Sequence, residues 1–227
     1  MMPAITDQTR PIVNEARKGV ISEVVRTFLI AVIIFTGLRL IVLPYKVDGV
    51  SMETTLANGE LLLVGRPTYF HFDLNHLLND IPFVHRHGTD IVYPFGYPQR
   101  GDIVILHPPK QVTAPYTVPQ DTGQPFIKRI IGLPGDTISF NDGRVYVNGK
   151  LLNEPYIHEP TYWPVGGTIS SITVPAGDVF VMGDNRINSE DSRYFGPISM
   201  NRLIGKVWIT LWPASHFGVV THPNYGS

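Results

Sequence analysis

A hydroxyl, an amine and a dense group of carboxylates and guanidinium groups occupy three separate stretches of this 227-residue chain. The first, Val47-Asp48-Gly49-Val50-Ser51-Met52-Glu53-Thr54-Thr55-Leu56, presents Ser51 between a glycine-containing turn and a segment able to start a helical turn. The second, Pro125-Phe126-Ile127-Lys128-Arg129-Ile130-Ile131-Gly132, carries Lys128 in a strand-like apolar run. Side chains alternate along a strand, so Lys128 shares its face with Phe126 and Ile130. An ammonium pressed among apolar side chains is costly; its pKa falls and the neutral amine becomes available as a base. Arg129 points to the other face and keeps its proton. A serine hydroxyl is a weak nucleophile until a neighbour takes its proton, so the pair suits acyl transfer. Each residue alone has a plainer reading, Ser51 as the N-cap of its turn and Lys128 as a snorkelling edge residue.

The third stretch, Gly183-Asp184-Asn185-Arg186-Ile187-Asn188-Ser189-Glu190-Asp191-Ser192-Arg193, supplies partners for both. Asp184 could pair with Arg129 and Asp191 with Arg193, cross-linking the loop. Ser189 could hydrogen-bond the Lys128 amine and orient it, the third-member role in a Ser/Lys site. A Ser–His–Asp triad is the competing arrangement, but no histidine has a setting that suggests it: His107 precedes Pro108-Pro109, while His216 and His222 lie in the tail. His71, His76, His85 and His87 fall in a Pro- and aromatic-rich stretch; the last two could share a strand face, but no further ligand stands at a recognisable spacing, so no metal is expected. The chain has no cysteine, which excludes thiol catalysis, cysteine-ligated metals and disulfides.

These groups must be positioned by the rest of the chain. Its length allows one domain with a small appendage. Charged residues make up 16% and hydrophobic ones 43%, a balance that suits a globular body plus an apolar anchor. A formal charge of -1 argues against nucleic acid as a partner. From Val20 to Leu43 the chain is nearly all apolar, with Glu23, Arg26 and Arg39 the exceptions. A span from Thr27 to Leu43 nearly crosses a bilayer if Arg26 and Arg39 snorkel, and Pro44 then ends the helix. Arg10, Arg17, Lys18 and Arg26 precede the run, whereas Lys46 and Arg66 follow closely, which predicts a cytoplasmic N-terminus and an exported body at the cell membrane. Beyond the anchor, Gly101-Asp102, Gly135-Asp136 and Gly177-Asp178, with Gly59-Glu60 as a weaker copy, each precede a strand-like run, and Asn141-Asp142-Gly143 and Asn148-Gly149 mark hairpins. The predicted organisation is a tail at 1–19, an anchor helix at 20–43 and a mainly antiparallel β body at 44–227, with a surface excursion at 66–99 and a small cap insertion at 141–172.

These motifs, in this order after an N-terminal anchor, resemble the type I signal peptidases, membrane-anchored serine proteases that remove signal peptides from exported proteins. Gly49-Val50-Ser51-Met52 is similar to that family's nucleophile motif, and Arg100-Gly101-Asp102-Ile103-Val104 to its next strand. Phe126 to Asp136 is similar to its lysine motif, and Gly183-Asp184-Asn185-Arg186 with Asn188 to Arg193 to its last signature. The resemblance implies a β catalytic body of the signal-peptidase type with a small β-hairpin flap. It implies Ser51 as nucleophile, Lys128 as general base, Ser189 orienting the lysine, and Asp191–Arg193 and Arg129–Asp184 as braces, with the Ser51 N–H in the oxyanion hole. Val47, Met52, Leu56, Leu62, Ile105, Phe126 and Ile127 would line pockets for the small side chains of Ala-x-Ala sites. The implied partners are signal-peptide-bearing preproteins, the lipid bilayer and the export machinery, with no cofactor. Two positions depart from the family pattern: Gly49 stands where some members have a serine that completes the oxyanion hole, and Thr54 where proline is frequent. Two other readings compete. A self-cleaving Ser/Lys repressor would need a DNA-binding domain where the anchor stands, and an inactive tethered β module would bind export partners or peptides without chemistry.

Overall fold

The structure, a computed structural model, describes residues 10–83, 85–113, 115–120, 123–163, 171–221, 223 and 225. The chain divides into two units, one ending at Ile41 and one beginning at Val42. The first is a single helix, α1 (Arg10–Ile41), whose segment Ile21–Ile41 is long and apolar enough to cross a membrane and leaves its large side chains uncovered. The expected boundary at Leu43 is corrected: the helix stops at Ile41, and Val42, Leu43 and Pro44 belong to strand β1 (Val42–Lys46). Cross-strand pairing of Leu43 with Val64 and Pro44 with Leu63 claims these residues, and an edge strand tolerates a proline that lacks an N–H.

The second unit is built on antiparallel strands. After β1 come β2 (Leu61–Gly65), a short pair β3 (Phe72–Asp73) and β4 (Ile91–Val92) flanking helix α2 (Leu74–Asn79), then β5 (Ile103–Leu106) and β6 (Phe126–Gly132). Strands β7 (Thr137–Asn141), β8 (Arg144–Val147), β9 (Lys150–Leu151) and β10 (Ser171–Thr173) follow, then β11 (Asp178–Met182), helix α3 (Ser192–Phe195), β12 (Ile198–Ser199), β13 (Leu203–Trp212) and β14 (Gly218–Val219). Among the described residues the main sheet runs β1-β2-β13-β5-β6-β11-β12, with β14 on β13, and its strands pair antiparallel throughout. The excursion thus holds some regular structure of its own, tied down by buried Tyr69, whose hydroxyl donates to Asp102 at 2.6 Å.

The four Gly-Asp or Gly-Glu turns behave alike: Gly59, Gly101, Gly135 and Gly177 all have φ between +80° and +94°, a region costly for side chains with a Cβ. Asp102 accepts from the Gln99 N–H at 3.1 Å and Asp136 from the Leu133 N–H at 2.7 Å, so the carboxylate closes the turn ahead of its strand. Asp142-Gly143 and Asn148-Gly149 make two-residue hairpin turns with positive φ at both positions, as the type I′ geometry requires. The cap, expected as a hairpin flap, is a four-stranded sheet ordered β10-β7-β8-β9. Its Ile138, Val145, Val147, Leu152 and Val174 share a core with Ile131, Phe180 and Met182 of the main sheet, so it is packed down rather than free to swing.

Candidate active site

Ser51 lies in the loop 47–60 that joins β1 to β2. Sheet-like bonds close the base of this loop, from the Val47 N–H to the Glu60 carbonyl at 2.8 Å and from the Gly59 N–H to the Val47 carbonyl at 2.9 Å. Inside it, bonds from Glu53 to Val50, Thr55 to Met52 and Leu56 to Met52 form one compact turn. Val47, Met52 and Leu56 are buried in a core that includes Leu62, Ile105 and Ile127, so three apolar pins hold the hydroxyl-bearing turn against the sheet.

Lys128 reaches that turn from the middle of β6, where it pairs with Val104 of β5. Its Nζ stands 2.9 Å from Ser51 Oγ, hydrogen-bonded, and 5.0 Å from the centre of the Phe126 ring. Only 3% of the side chain is exposed. Burial pushes the amine down to about 8; Asp191, Glu190 and Asp184 oppose the shift while Arg193 adds to it. A base with its pKa near neutrality and in contact with an alcohol has the geometry for proton abstraction.

The remaining charges form two buried braces. Arg129 makes a bidentate pair with Asp184 (2.9 and 2.6 Å), donates to the Gly101 carbonyl at 3.0 Å and reaches Thr55 Oγ1 at 3.3 Å. Arg193 pairs with Asp191 at two positions, both 2.9 Å, and donates to the Arg186 carbonyl at 2.7 Å. Burial alone would raise the Asp191 pKa, but Arg193 and the Gly183 N–H hold it below the ordinary carboxylate range. The same loop grips the Ser51 turn directly, since the Asn185 N–H donates to the Ser51 carbonyl at 3.0 Å.

Ser189 departs from expectation. Its Oγ is buried and has no hydrogen-bond partner among the described residues, so the expected bond to Lys128 is not formed. It packs against Gly183, where even a methyl group would come within 2.3 Å of the hydroxyl. A cleft of about 600 Å³ opens over the pair, lined by Val47, Met52, Phe126 and Ile127 together with Ser51, Lys128, Ser189 and Glu190. The other three apolar positions assigned to it, Leu56, Leu62 and Ile105, are fully covered in the core beneath; they floor the site without facing the cleft. Gly49 lines the cleft at φ +105°, and its N–H is engaged by Asn58 Oδ1 at 3.2 Å. None of the described histidines lines this cleft. His216 bonds buried Glu60 at 2.6 Å, and His222 lies outside the described residues.

Several contributors carried no sequence signal. Glu154, Tyr156 and Thr161 come from an aperiodic part of the cap. Arg186 makes a two-pronged ion pair with Glu154, donates to Thr161 Oγ1 at 2.6 Å and to the Gly183 carbonyl at 3.0 Å. Tyr156 stacks its ring 4.1 Å from the Arg129 guanidinium. Only the alternation of charge in 183–193 hinted that a partner for Arg186 must exist.

Residues 21–212 of the chain match the family model described as signal peptidase, peptidase S26. A probable signal peptidase I-1 of Synechocystis sp. is 36% identical over 199 residues, covering 87% of this chain and 86% of that protein. The signal peptidase I of Bacillus caldolyticus is 33% identical over 201 residues, covering 84% of this chain and 91% of that protein. A crystal structure of a signal peptidase I from Enterococcus faecalis V583 aligns with 48% of this chain and 96% of that one, at 33% identity and a TM-score of 0.36.

Proposed function

The chain belongs to the signal peptidase family, peptidase S26, and on that premise we propose that it cleaves signal peptides from exported preproteins with Ser51 as nucleophile and Lys128 as general base. The observation that carries this reading is the 2.9 Å contact between Lys128 Nζ and Ser51 Oγ, made by an amine that is almost wholly shielded from water. Neutral Lys128 takes the Ser51 proton as Oγ bonds to the substrate carbonyl carbon. The ammonium then protonates the leaving amine as the C–N bond breaks, and water repeats the cycle on the acyl-enzyme. The Ser51 N–H, bonded to no other described residue, is the proposed oxyanion donor. Gly49 brings no side chain, and its own N–H is already engaged, so a second donor from that position has no support.

Ser189 keeps the orienting role in this reading. Its buried, unpartnered hydroxyl is available to the amine once Ser51 Oγ turns to the substrate. Val47, Met52, Phe126 and Ile127 give the cleft the apolar lining that small Ala-x-Ala side chains require. Helix α1 fits a membrane-anchored protein. The excess of Arg and Lys ahead of its apolar segment Ile21–Ile41 supports a cytoplasmic N-terminus, with the β body outside beside its membrane-embedded substrates and within reach of lipid and the export machinery.

The test is cleavage of an Ala-x-Ala reporter by full-length protein in detergent. Ser51→Ala and Lys128→Ala should each abolish turnover while the fold persists, and a serine-directed acylating probe should label Ser51 alone. Normal turnover by Ser51→Ala would refute the assignment. Protease protection of the N-terminal tail in sealed vesicles checks the orientation.

A further inference from the structure

Thr54, three residues after the nucleophile, has φ +93°. A β-branched side chain is strained there, and such a conformation persists only when its surroundings enforce it. Proline, locked near -65°, could not occupy it at all. The enforcing contact comes from the cap: Thr54 Oγ1 donates to the Tyr156 carbonyl at 2.7 Å, across 102 positions of sequence.

Tyr156 is itself held on every side. Its ring packs on Arg129, and its hydroxyl donates to Glu154 Oε1 at 2.9 Å and lies 2.8 Å from the Tyr225 hydroxyl. Glu154 is the partner of Arg186, which grips the Gly183 carbonyl two residues before Asn185, whose N–H holds the Ser51 carbonyl. The links therefore close a ring, from Ser51 through Asn185, Arg186, Glu154 and Tyr156 to Thr54 and back to the same turn. One arm fixes the turn at its nucleophile and the other at its strained residue. A turn held at both ends keeps the Ser51 backbone from shifting away from the amine.

We propose that Thr54 and Tyr156 are positioning residues, a clamp by which the cap insertion keeps the Ser51 hydroxyl aligned with Lys128. The clamp rests on the assignment of Ser51 and Lys128 and goes beyond it: the cap becomes part of the alignment of the nucleophile rather than a passive appendage. Thr54→Val removes the donor while keeping the branched shape, and Thr54→Ser restores the donor. Glu154→Gln weakens the support of Tyr156 without touching the turn.

The experiment measures kcat and KM separately on an Ala-x-Ala reporter, with the folded fraction followed by circular dichroism and Ser51→Ala as control. Misplacement of a nucleophile acts on the chemical step, so Thr54→Val should lower kcat by about tenfold or more with KM within about twofold of the parent. Thr54→Ser should recover most of the loss, and Glu154→Gln should reproduce part of it. The midpoint of the pH–rate profile should stay in place, because the burial of Lys128 is unchanged. A parental kcat for Thr54→Val, a loss that appears in KM, or a loss that only tracks the folded fraction would overturn the clamp. A dead Ser51→Ala beside a fully active Thr54→Val sinks the clamp alone, whereas an active Ser51→Ala sinks the assignment beneath it.

Discussion

Lys128 and Arg129 are neighbours that point to opposite faces of β6, yet both end on one turn: Nζ of the first at Ser51 and Nη2 of the second at Thr55, four residues on. The strand works as a two-sided bracket, one side supplying a removable proton site and the other a permanent charge. Arg129 is covered on all sides, and its only carboxylate partner among the described residues is Asp184. Arg129→Met should therefore strand a buried carboxylate and cost about 3–5 kcal/mol, read as a loss of unfolding free energy in denaturant. Asp184→Asn should fall in the same range, and the double change Arg129→Met with Asp184→Leu should recover part of it, because no unpaired charge is left.

The pH dependence follows from Lys128, held near 8 by burial. On the proposed mechanism the reactive form is the neutral amine, so activity should rise with pH, steeply below pH 8 and levelling above it. At pH 7 roughly a tenth of the molecules carry the base in its active form. Lys128→Arg, which cannot lose its proton at any accessible pH, should be inactive throughout. Asp191→Asn should move the rising limb to lower pH, since it removes a carboxylate that favours the ammonium. A pH–rate series on the reporter peptide measures all three.

Much of the site was legible before any coordinates because its residues are constrained locally. A lysine sharing its strand face with Phe126 and Ile130 announces desolvation, and carboxylates interleaved with arginines between Gly183 and Arg193 announce pairing. The hairpins were equally plain, since Asn148-Gly149 and Asp142-Gly143 are nearly obligatory for their turn type. What escaped notice depends on tertiary closure. The helix ends at Ile41 because β2 recruits Val42 and Leu43, a competition no local propensity displays. Glu154 and Tyr156 sit in an aperiodic stretch, and their partners lie far off in sequence. Ser189 illustrates a third limit: its type and position suggested a bond to the lysine, but its buried hydroxyl has no partner among the described residues.

Leu62 and Ile105 separate a pocket wall from a pocket floor. Apolar composition does not distinguish the two, and burial does not either, since Met52 lines the cleft although buried; what separates them is that neither Leu62 nor Ile105 meets the cleft. Leu62→Ala and Ile105→Ala should each cost about 2–5 kcal/mol in unfolding free energy, as cavities in a packed core do. Neither should change which residue is accepted at the cleavage site. Val47→Ala, in contrast, enlarges the cleft itself and should raise the relative rate for substrates with Val in place of the small residue. A matrix of reporter peptides against the three variants reads both effects.

Gly183 gives the sharpest test of how tightly the last loop is fitted to the nucleophile. A Cβ at this position would meet Ser189 Oγ at 2.3 Å and the Ser51 carbonyl oxygen at 2.5 Å. A rotamer change could move only the Ser189 hydroxyl, since its Cβ also stands at 2.6 Å, and the carbonyl of Ser51 is backbone, already fixed by the Asn185 N–H. Relief must then come from moving the nucleophile turn or the loop, and either shift pulls Ser51 Oγ from Lys128. Gly183→Ala should lower kcat by about a hundredfold, the scale expected for displacement of a reacting group by about 1 Å. The direction of the shift can be checked by adding Ser189→Ala to the same protein. If the hydroxyl were the main obstruction, the double variant would regain the activity of Ser189→Ala alone; because the Ser51 carbonyl and Ser189 Cβ stay in the way, it should remain at least about tenfold below that single variant in kcat.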